Sequence, residues 1–224
     1  DVGRKGLPII RDAQAMPEAI DYLICESTYG NRFHEPSGPV KKKLADTVNR
    51  TIQRNGRVIV PAFAVGRTQQ LVVMLSELVQ EKAIPPIPVF VDSPLAVNVT
   101  EVFRQHTECY DEEIKAAFAS GSDPFGFSML RYIRDVNDSK ALNELRTPFI
   151  VVSASGMCEA GRILHHLKNN IGKARNTILI TGFQAENTLG RKIVDGQKEV
   201  NIFGEPYTVR AEVVKLNELS GHAD

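Results

Sequence analysis

Four short apolar runs organise the middle of the chain: RVIVPAF (57–63), IPVFVDSP (87–94), PFIVVSASG (148–156) and NTILITGFQ (176–184). Runs of this kind, bounded by small and polar residues, read as buried strands. Each gives way to a stretch with helical spacing. After the first comes GRTQQLVVMLSELVQEK (66–82), and after the second Leu95 to His106, with Pro94 suited to the helix's first turn. MCEAGRILHHLKNNIG (157–172) follows the third, with Gly172 as its stop, and a short helix near Asn187–Val194 follows the fourth. Strands alternating with helices require crossover connections, which are right-handed and pair the strands in parallel. The expected fold class is therefore α/β, with a doubly wound, mostly parallel sheet.

Further elements flank this frame. An apolar stripe of Val40, Leu44, Val48 and Ile52 predicts a helix over 38–54. Glu112–Ala119 is helical by spacing, SGSDPFGF (120–127) is rich in turn residues, and Ser139–Leu145 reads as a short helix capped by Asp138 or Ser139. Tyr22–Cys25 reads as a short buried strand, and EVNIFG (199–204) and YTVRAEVVKL (207–216) as strands. The second of these alternates, as a half-solvated strand should.

Lys+Arg and Asp+Glu both total 27, so the chain is formally neutral. Overall charge therefore gives no grip on a polyanion, and a nucleic-acid site has to be a local patch. The cysteines, Cys25, Cys109 and Cys158, are odd in number and scattered, which suggests no disulfide framework and fits a reducing cytoplasm. The expectation for them is three small, semi-buried residues. No apolar run approaches the ~18 residues of a membrane span. The chain lacks a signal peptide and begins at Asp1 without Met, as a fragment or a processed piece would.

Three of the loops share a construction. VIVPAFAVGRTQQ, IVVSASGMCEAGR and ILITGFQAENTLGR each run from apolar strand through small residues to Gly-Arg near a helix start: Gly66-Arg67, Gly161-Arg162 and Gly190-Arg191. In an open parallel sheet such loops line one crevice at the carboxyl ends of the strands. Helix N-termini there present unpaired N–H groups, and small residues let an anion approach them. An arginine adds a bidentate fork. One Gly-Arg pair carries little information, since such residues usually cap helices or pair on the surface. Three in equivalent positions point to a phosphate-binding cleft. None matches GxxxxGK[ST] or GxGxxG, so a nucleotide cofactor is not favoured.

Other candidates read more simply. Lys41–Lys43 lie on a polar helix face and are expected to be solvated. Adjacent residues on a helix point about 100° apart, so His165 and His166 cannot form a metal pair. His34 and His106 lack nearby partners and read as surface or loop residues. Asp92 either lines the crevice or caps the helix begun by Pro94.

Taken together, DVGR at the start, LICESTYG, VPAFAVGRTQQL, VDSPLA, SASGM, GFQAENTLGR and LSGHAD resemble the β-CASP ribonucleases of the metallo-β-lactamase superfamily. That group includes ribonuclease J and the nuclease subunit of the messenger-RNA cleavage and polyadenylation complex. The resemblance implies a chain in three parts. Residues 1–29 would be the C-terminal-side piece of a metallo-β-lactamase domain, 30–205 the RNA-clamping β-CASP domain, and 206–224 a strand returning to the first domain.

The resemblance also implies roles. Asp1 corresponds to the family's zinc-bridging aspartate, Glu26 to an acidic residue orienting the metal-ligand shell, and His222 to a histidine that protonates the leaving group. Arg67, Ser153, Ser155, Arg162, Gly182, Gln184 and Arg191, from the phosphate-cleft loops, would bind the substrate. Two zinc ions sharing a hydroxide would supply the nucleophile in the complete enzyme. The family's HxHxDH zinc string is absent from this sequence, so the fragment alone is expected to be inactive and unable to hold the metals. Implied partners are RNA, the remainder of the metallo-β-lactamase domain and a second copy in a homodimer, with no membrane. Two alternatives stay open on sequence: a non-catalytic RNA-binding or scaffold subunit, and a DNA-directed nuclease of the same superfamily. Whether cutting is internal or from a 5′ end is also open.

Overall fold

A computed structural model of the chain describes residues 3–14, 19–31, 33, 39–216 and 219–222. In chain order the elements are α1 (Val40–Gln53), β1 (Val58–Pro61), α2 (Arg67–Gln80), β2 (Val89–Val91), α3 (Pro94–Gln105), α4 (Glu112–Ala119), β3 (Leu130–Tyr132) and α5 (Val136–Ala141). There follow β4 (Ile150–Ser153), α6 (Arg162–Asn170), β5 (Thr177–Ile180), α7 (Leu189–Val194), β6 (Glu199–Ile202), β7 (Glu205–Thr208) and β8 (Glu212–Lys215). Six strands form one sheet in the order β3-β2-β4-β1-β5-β8, with every neighbouring pair parallel. β6 and β7 form a separate antiparallel hairpin. The doubly wound α/β expectation holds.

The winding follows from side-chain alternation. Val58 and Val60 of β1, Ile150 and Val152 of β4, and Leu179 of β5 join one buried cluster with Leu44 of α1 and Leu71 and Leu75 of α2. The intervening Ile59, Val151, Ile178 and Ile180 join a second, with Ile163 and Leu167 of α6 and Ile193 of α7. Successive side chains of a strand point to opposite faces. Apolar residues at every position therefore demand a helical layer on each side. A third cluster, Ile9, Val73, Tyr110, Ile114 and Phe125, ties the amino-terminal arm to α2 and α4.

Four local readings need correction. Tyr22–Cys25 is not a buried strand: Tyr22 is 94% exposed and Ile24 100%. A strand needs a hydrogen-bonding neighbour, and among the described residues none pairs with this run. YTVRAEVVKL is not one strand. At Arg210 and Ala211 both backbone N–H groups turn to the carbonyl of Ile171, which separates β7 in the hairpin from β8 at the edge of the main sheet. The short helix α5 begins earlier than expected, capped by Asp135, whose Oδ1 accepts from the Asn137 N–H at 2.7 Å. The sequence reading also missed β3, a three-residue edge strand with no fully buried position.

Among the described residues no helix is long and apolar enough to cross a membrane. Cys25 and Cys109 are exposed rather than semi-buried, while Cys158 is buried with its thiol pushed up to about 12 by that burial. Lys41 pairs with Glu77 and Glu81 on the surface.

Ile59 sits at the centre of the sheet with no exposure. Replacing it with alanine opens a cavity that packed neighbours cannot close, and Ile59→Ala should lose about 2–5 kcal/mol of unfolding free energy. Urea denaturation would show a lower midpoint at unchanged slope.

Candidate nucleic-acid cleft and its acid–imidazole pair

The carboxyl ends of the parallel strands carry the loops singled out in the sequence. β1 leads through Ala62–Gly66 into α2, and β4 through Ala154–Gly161 into α6. Gly66 and Gly161 stand at the helix N-caps with φ of 75° and 84°, a region open to glycine and strained for other residues. At Gly161 a Cβ would also come within 2.6 Å of the Ala154 carbonyl. β2 leads into α3, where Ser93 Oγ accepts from the Ala96 N–H at 3.2 Å, so Ser93 rather than Asp92 is the cap. A pocket of about 380 Å³ opens between the β2 and β4 loops, lined in part by Ser93, Leu95, Ser155, Gly161 and Arg162.

Asp92 has no exposure and forms the hub of this region. Oδ1 accepts from Arg162 Nη1 at 2.7 Å, and Oδ2 from Ser139 Oγ at 2.5 Å and His166 Nε2 at 2.6 Å. The Asp92 carbonyl accepts from Ser153 Oγ at 2.7 Å. Burial alone would raise the carboxyl pKa, but the bonds from His166, Ser139 and Arg162 outweigh it and hold the group below its ordinary value. Sequence reasoning left Asp92 between two roles and did not connect Ser139 or His166 to it; the three are separated by 47 and 74 residues.

The expected substrate-binding residues occupy different situations. Arg162 spends its fork on Asp92 and on the Arg134 carbonyl, at 2.7 Å each. Arg191 Nε donates to both carboxylate oxygens of Asp195, which caps the end of α7, at 2.9 and 2.8 Å. Arg67 donates to Gln70 at 3.0 Å, but its buried Nε has no partner among the described residues. Burial pulls its pKa down to about 10, with Tyr29 opposing the shift, so it stays charged at neutral pH. Ser153 is buried, and Ser155 Oγ accepts from the Glu159 N–H at 3.1 Å within its own loop. Gln184 Nε2 donates to the carbonyls of Gly156, Gly182 and Phe183, tying the β4 loop to the β5 loop. Gly190 makes room for this: a Cβ there would lie 1.7 Å from Gln184 Oε1.

At the chain's two ends the structure brings together Glu26 and His222, 196 residues apart, with Glu26 Oε2 2.5 Å from His222 Nδ1. The Glu26 side chain is 10% exposed and that of His222 37%. The carboxylate accepts from Nδ1 and so fixes the ring's orientation and tautomer. The Tyr29 ring lies 6.3 Å from the imidazole, and Ser220 Oγ accepts from the His222 N–H at 3.3 Å. Glu26 thus acts on His222 directly; the resemblance implies that the two share one site, and gives Glu26 to the metal-ligand shell rather than to the imidazole. Asp1, the expected metal ligand, and His34 lie outside the described residues. Among the described residues no three His, Cys, Asp or Glu side chains converge to hold a metal ion. That donor set does not make a zinc site, which needs about four ligands.

Breaking the Asp92 hub tests its energetics. Asp92→Asn leaves the guanidinium of Arg162 without its carboxylate and should cost about 3–5 kcal/mol at pH 7. A depressed folded-state pKa stabilises the fold above the ordinary carboxyl value near 3.9, and that stabilisation is lost as pH falls through the folded value. The stability gap between wild type and Asp92→Asn should therefore narrow below about pH 4; urea unfolding at stepped pH measures it.

Known proteins resemble this chain along most of its length. The chain is 33% identical over 223 residues to a ribonuclease of Thermus thermophilus, covering 100% of this chain and 51% of that protein. It is 32% identical over 209 residues to an RNase J-like protein of Methanocaldococcus jannaschii, covering 92% and 47%. With cleavage and polyadenylation specificity factor subunit 3 of Dictyostelium discoideum it shares 28% over 213 residues, 95% of this chain and 27% of that one. The chain thus spans about half or less of these relatives. Residues 68–193 match the family described as Beta-Casp domain, and the chain belongs to that family.

Proposed function

We propose that the chain forms part of a zinc-dependent ribonuclease that hydrolyses RNA phosphodiester bonds, supplying the strand-gripping domain and part of the active site. The contact between Glu26 and His222 carries this reading, because it joins a shielded carboxylate to a part-exposed imidazole across 196 residues. In the reaction His222 protonates the departing 3′ oxygen. Glu26 holds the ring so that Nε2 presents the proton, while the half-exposed imidazole can reach a substrate. Arg67, with its unpartnered Nε, is the arginine of the three Gly-Arg pairs best placed to accept a phosphate. The loop N–H groups at the helix starts grip the backbone without reading sequence.

The zinc ions are assigned to ligands beyond those described, Asp1 among them. The adjoining exposed Tyr22, Leu23 and Ile24 supply a contiguous apolar surface that the remainder of the metallo-β-lactamase domain would cover.

Cleavage of end-labelled RNA by the complete protein, with and without a chelator, tests the reading; a protein that binds RNA but never cuts it would be a scaffold subunit instead. His222→Ala should lower turnover by about 10²–10⁴ with little change in RNA affinity. Equal losses in both would remove the acid role. Arg67→Ala should weaken RNA binding and reduce the slope of log affinity against log salt by about one contact's worth. Metal analysis of the isolated chain should find less than the two firmly bound zinc ions of the complete enzyme.

A further inference from the structure

We infer that Phe63 and Phe183 form a stacking platform for unpaired nucleobases on the rim of the cleft. This rests on the ribonuclease reading and adds to it a contact with the bases, where the loops account only for the backbone. The two residues follow β1 and β5, which are hydrogen-bonded neighbours, so both emerge at the same end of adjacent strands. Buried residues adjoin them: Ala62 at 1% and Ala64 at 8% exposure beside Phe63, and Gln184 at 5% beside Phe183. Phe63 and Phe183 are themselves 41% and 40% exposed.

Both rings stand on fixed backbone. Thr68, in the first turn of α2, donates to the Phe63 carbonyl through Oγ1 at 2.8 Å and through its N–H at 3.3 Å. The Phe183 carbonyl accepts from Gln184 at 3.0 Å. One edge of the Phe63 ring seats against two glycines. A Cβ at Gly156 would lie 2.8 Å from its Cδ2, and one at Gly182 3.6 Å from its Cε2. The ring is therefore oriented by the β4 and β5 loops yet left uncovered.

A lone exposed phenylalanine needs no explanation. Two on neighbouring strands, held by the loops that offer helix N-termini and Arg67, match the way sequence-tolerant single-strand sites pair a cationic track with aromatic faces. Val65, in the same loop as Phe63, is also exposed, so the RNA reading rests on the combination with the loop N–H groups and with Arg67, whose buried Nε has no partner among the described residues.

The chain has no tryptophan, so Phe63→Trp adds a reporter to it, read as the difference in fluorescence between the variant and the wild-type complete protein. Titration with a single-stranded RNA oligomer should quench its fluorescence, while an abasic ribose-phosphate oligomer of equal length should bind without quenching. Phe63→Leu and Phe183→Leu should each bind the RNA roughly five- to a hundred-fold more weakly at an unchanged salt slope. Should Phe63→Leu fail to fold by circular dichroism, Phe183→Leu carries the test alone. RNA binding by wild type with no quenching and no loss in the leucine variants overturns the platform while leaving the ribonuclease reading intact, and is the result expected if the rim docks a protein. Absence of RNA binding by the wild-type complete protein overturns both.

Discussion

A buried carboxylate at the end of β2 fixes the geometry on which the cleft depends. Asp92 is bonded to Ser139 of α5, to Arg162 and His166 of α6, and through its own carbonyl to Ser153 of β4. It thus ties α5 and α6, which pack on the same face, to the carboxyl ends of β2 and β4. Removing an ion from water costs several kcal/mol, and only near-complete pairing offsets that. Here one partner is an arginine and the others are hydrogen-bond donors at 2.5 and 2.6 Å, so a shift of any of these elements would leave charge unpaired in the interior. Asp92 thereby cross-links the segments around the pocket between the β2 and β4 loops.

That economy also separates three loops that look alike. Each ends in Gly-Arg, and equal roles follow if only the pattern is considered. Arg162, however, is consumed by the hub, and Arg191 directs its Nε to Asp195. Arg67 alone of the three keeps a buried nitrogen without a partner among the described residues. Glycines share the selection. Gly161 lets α6 start beside the Ala154 carbonyl, and Gly190 leaves the space that Gln184 occupies while it ties the β4 and β5 loops together. The loops are small-residue-rich partly to pack against one another, and the ligand surface is what remains after that packing.

The central strands were legible because their apolar content is so high that both faces must be covered, and the two clusters confirm it residue by residue. What failed in the reading has a common cause in pairing. Tyr22–Cys25 has strand-like composition, but composition does not supply a neighbouring strand. Alternation in YTVRAEVVKL runs unbroken across the point where two N–H groups turn to Ile171. β3 carries Leu130, Arg131 and Tyr132 at an edge, too short and too exposed to register as a pattern. Of the site, the loops and their helix starts could be located from periodicity, whereas the partners of Asp92 could not, because hydrogen bonds across 47 and 74 residues leave no local signal.

Glu26 and His222 are the extreme of that problem. Neither lies in a helix or strand, and periodicity gave no reason to bring them together. Only the resemblance of LICESTYG and LSGHAD to two strings of one family did so, and the fold then supplied the physics: an acid 10% exposed, an imidazole 37% exposed, and a short bond between them. The division suits a proton donor, since a shielded carboxylate keeps the ring's aim while the ring keeps its access to solvent and substrate. Position in the fold adds a further constraint. Gly66 at the start of α2 lines the same pocket of about 400 Å³ as Gly221, the residue before His222, which sets the helix start that carries Arg67 beside the segment that carries the imidazole. A phosphodiester held at that helix start would lie next to the residue proposed to protonate its leaving oxygen, so that under the proposed function grip and chemistry would share one wall.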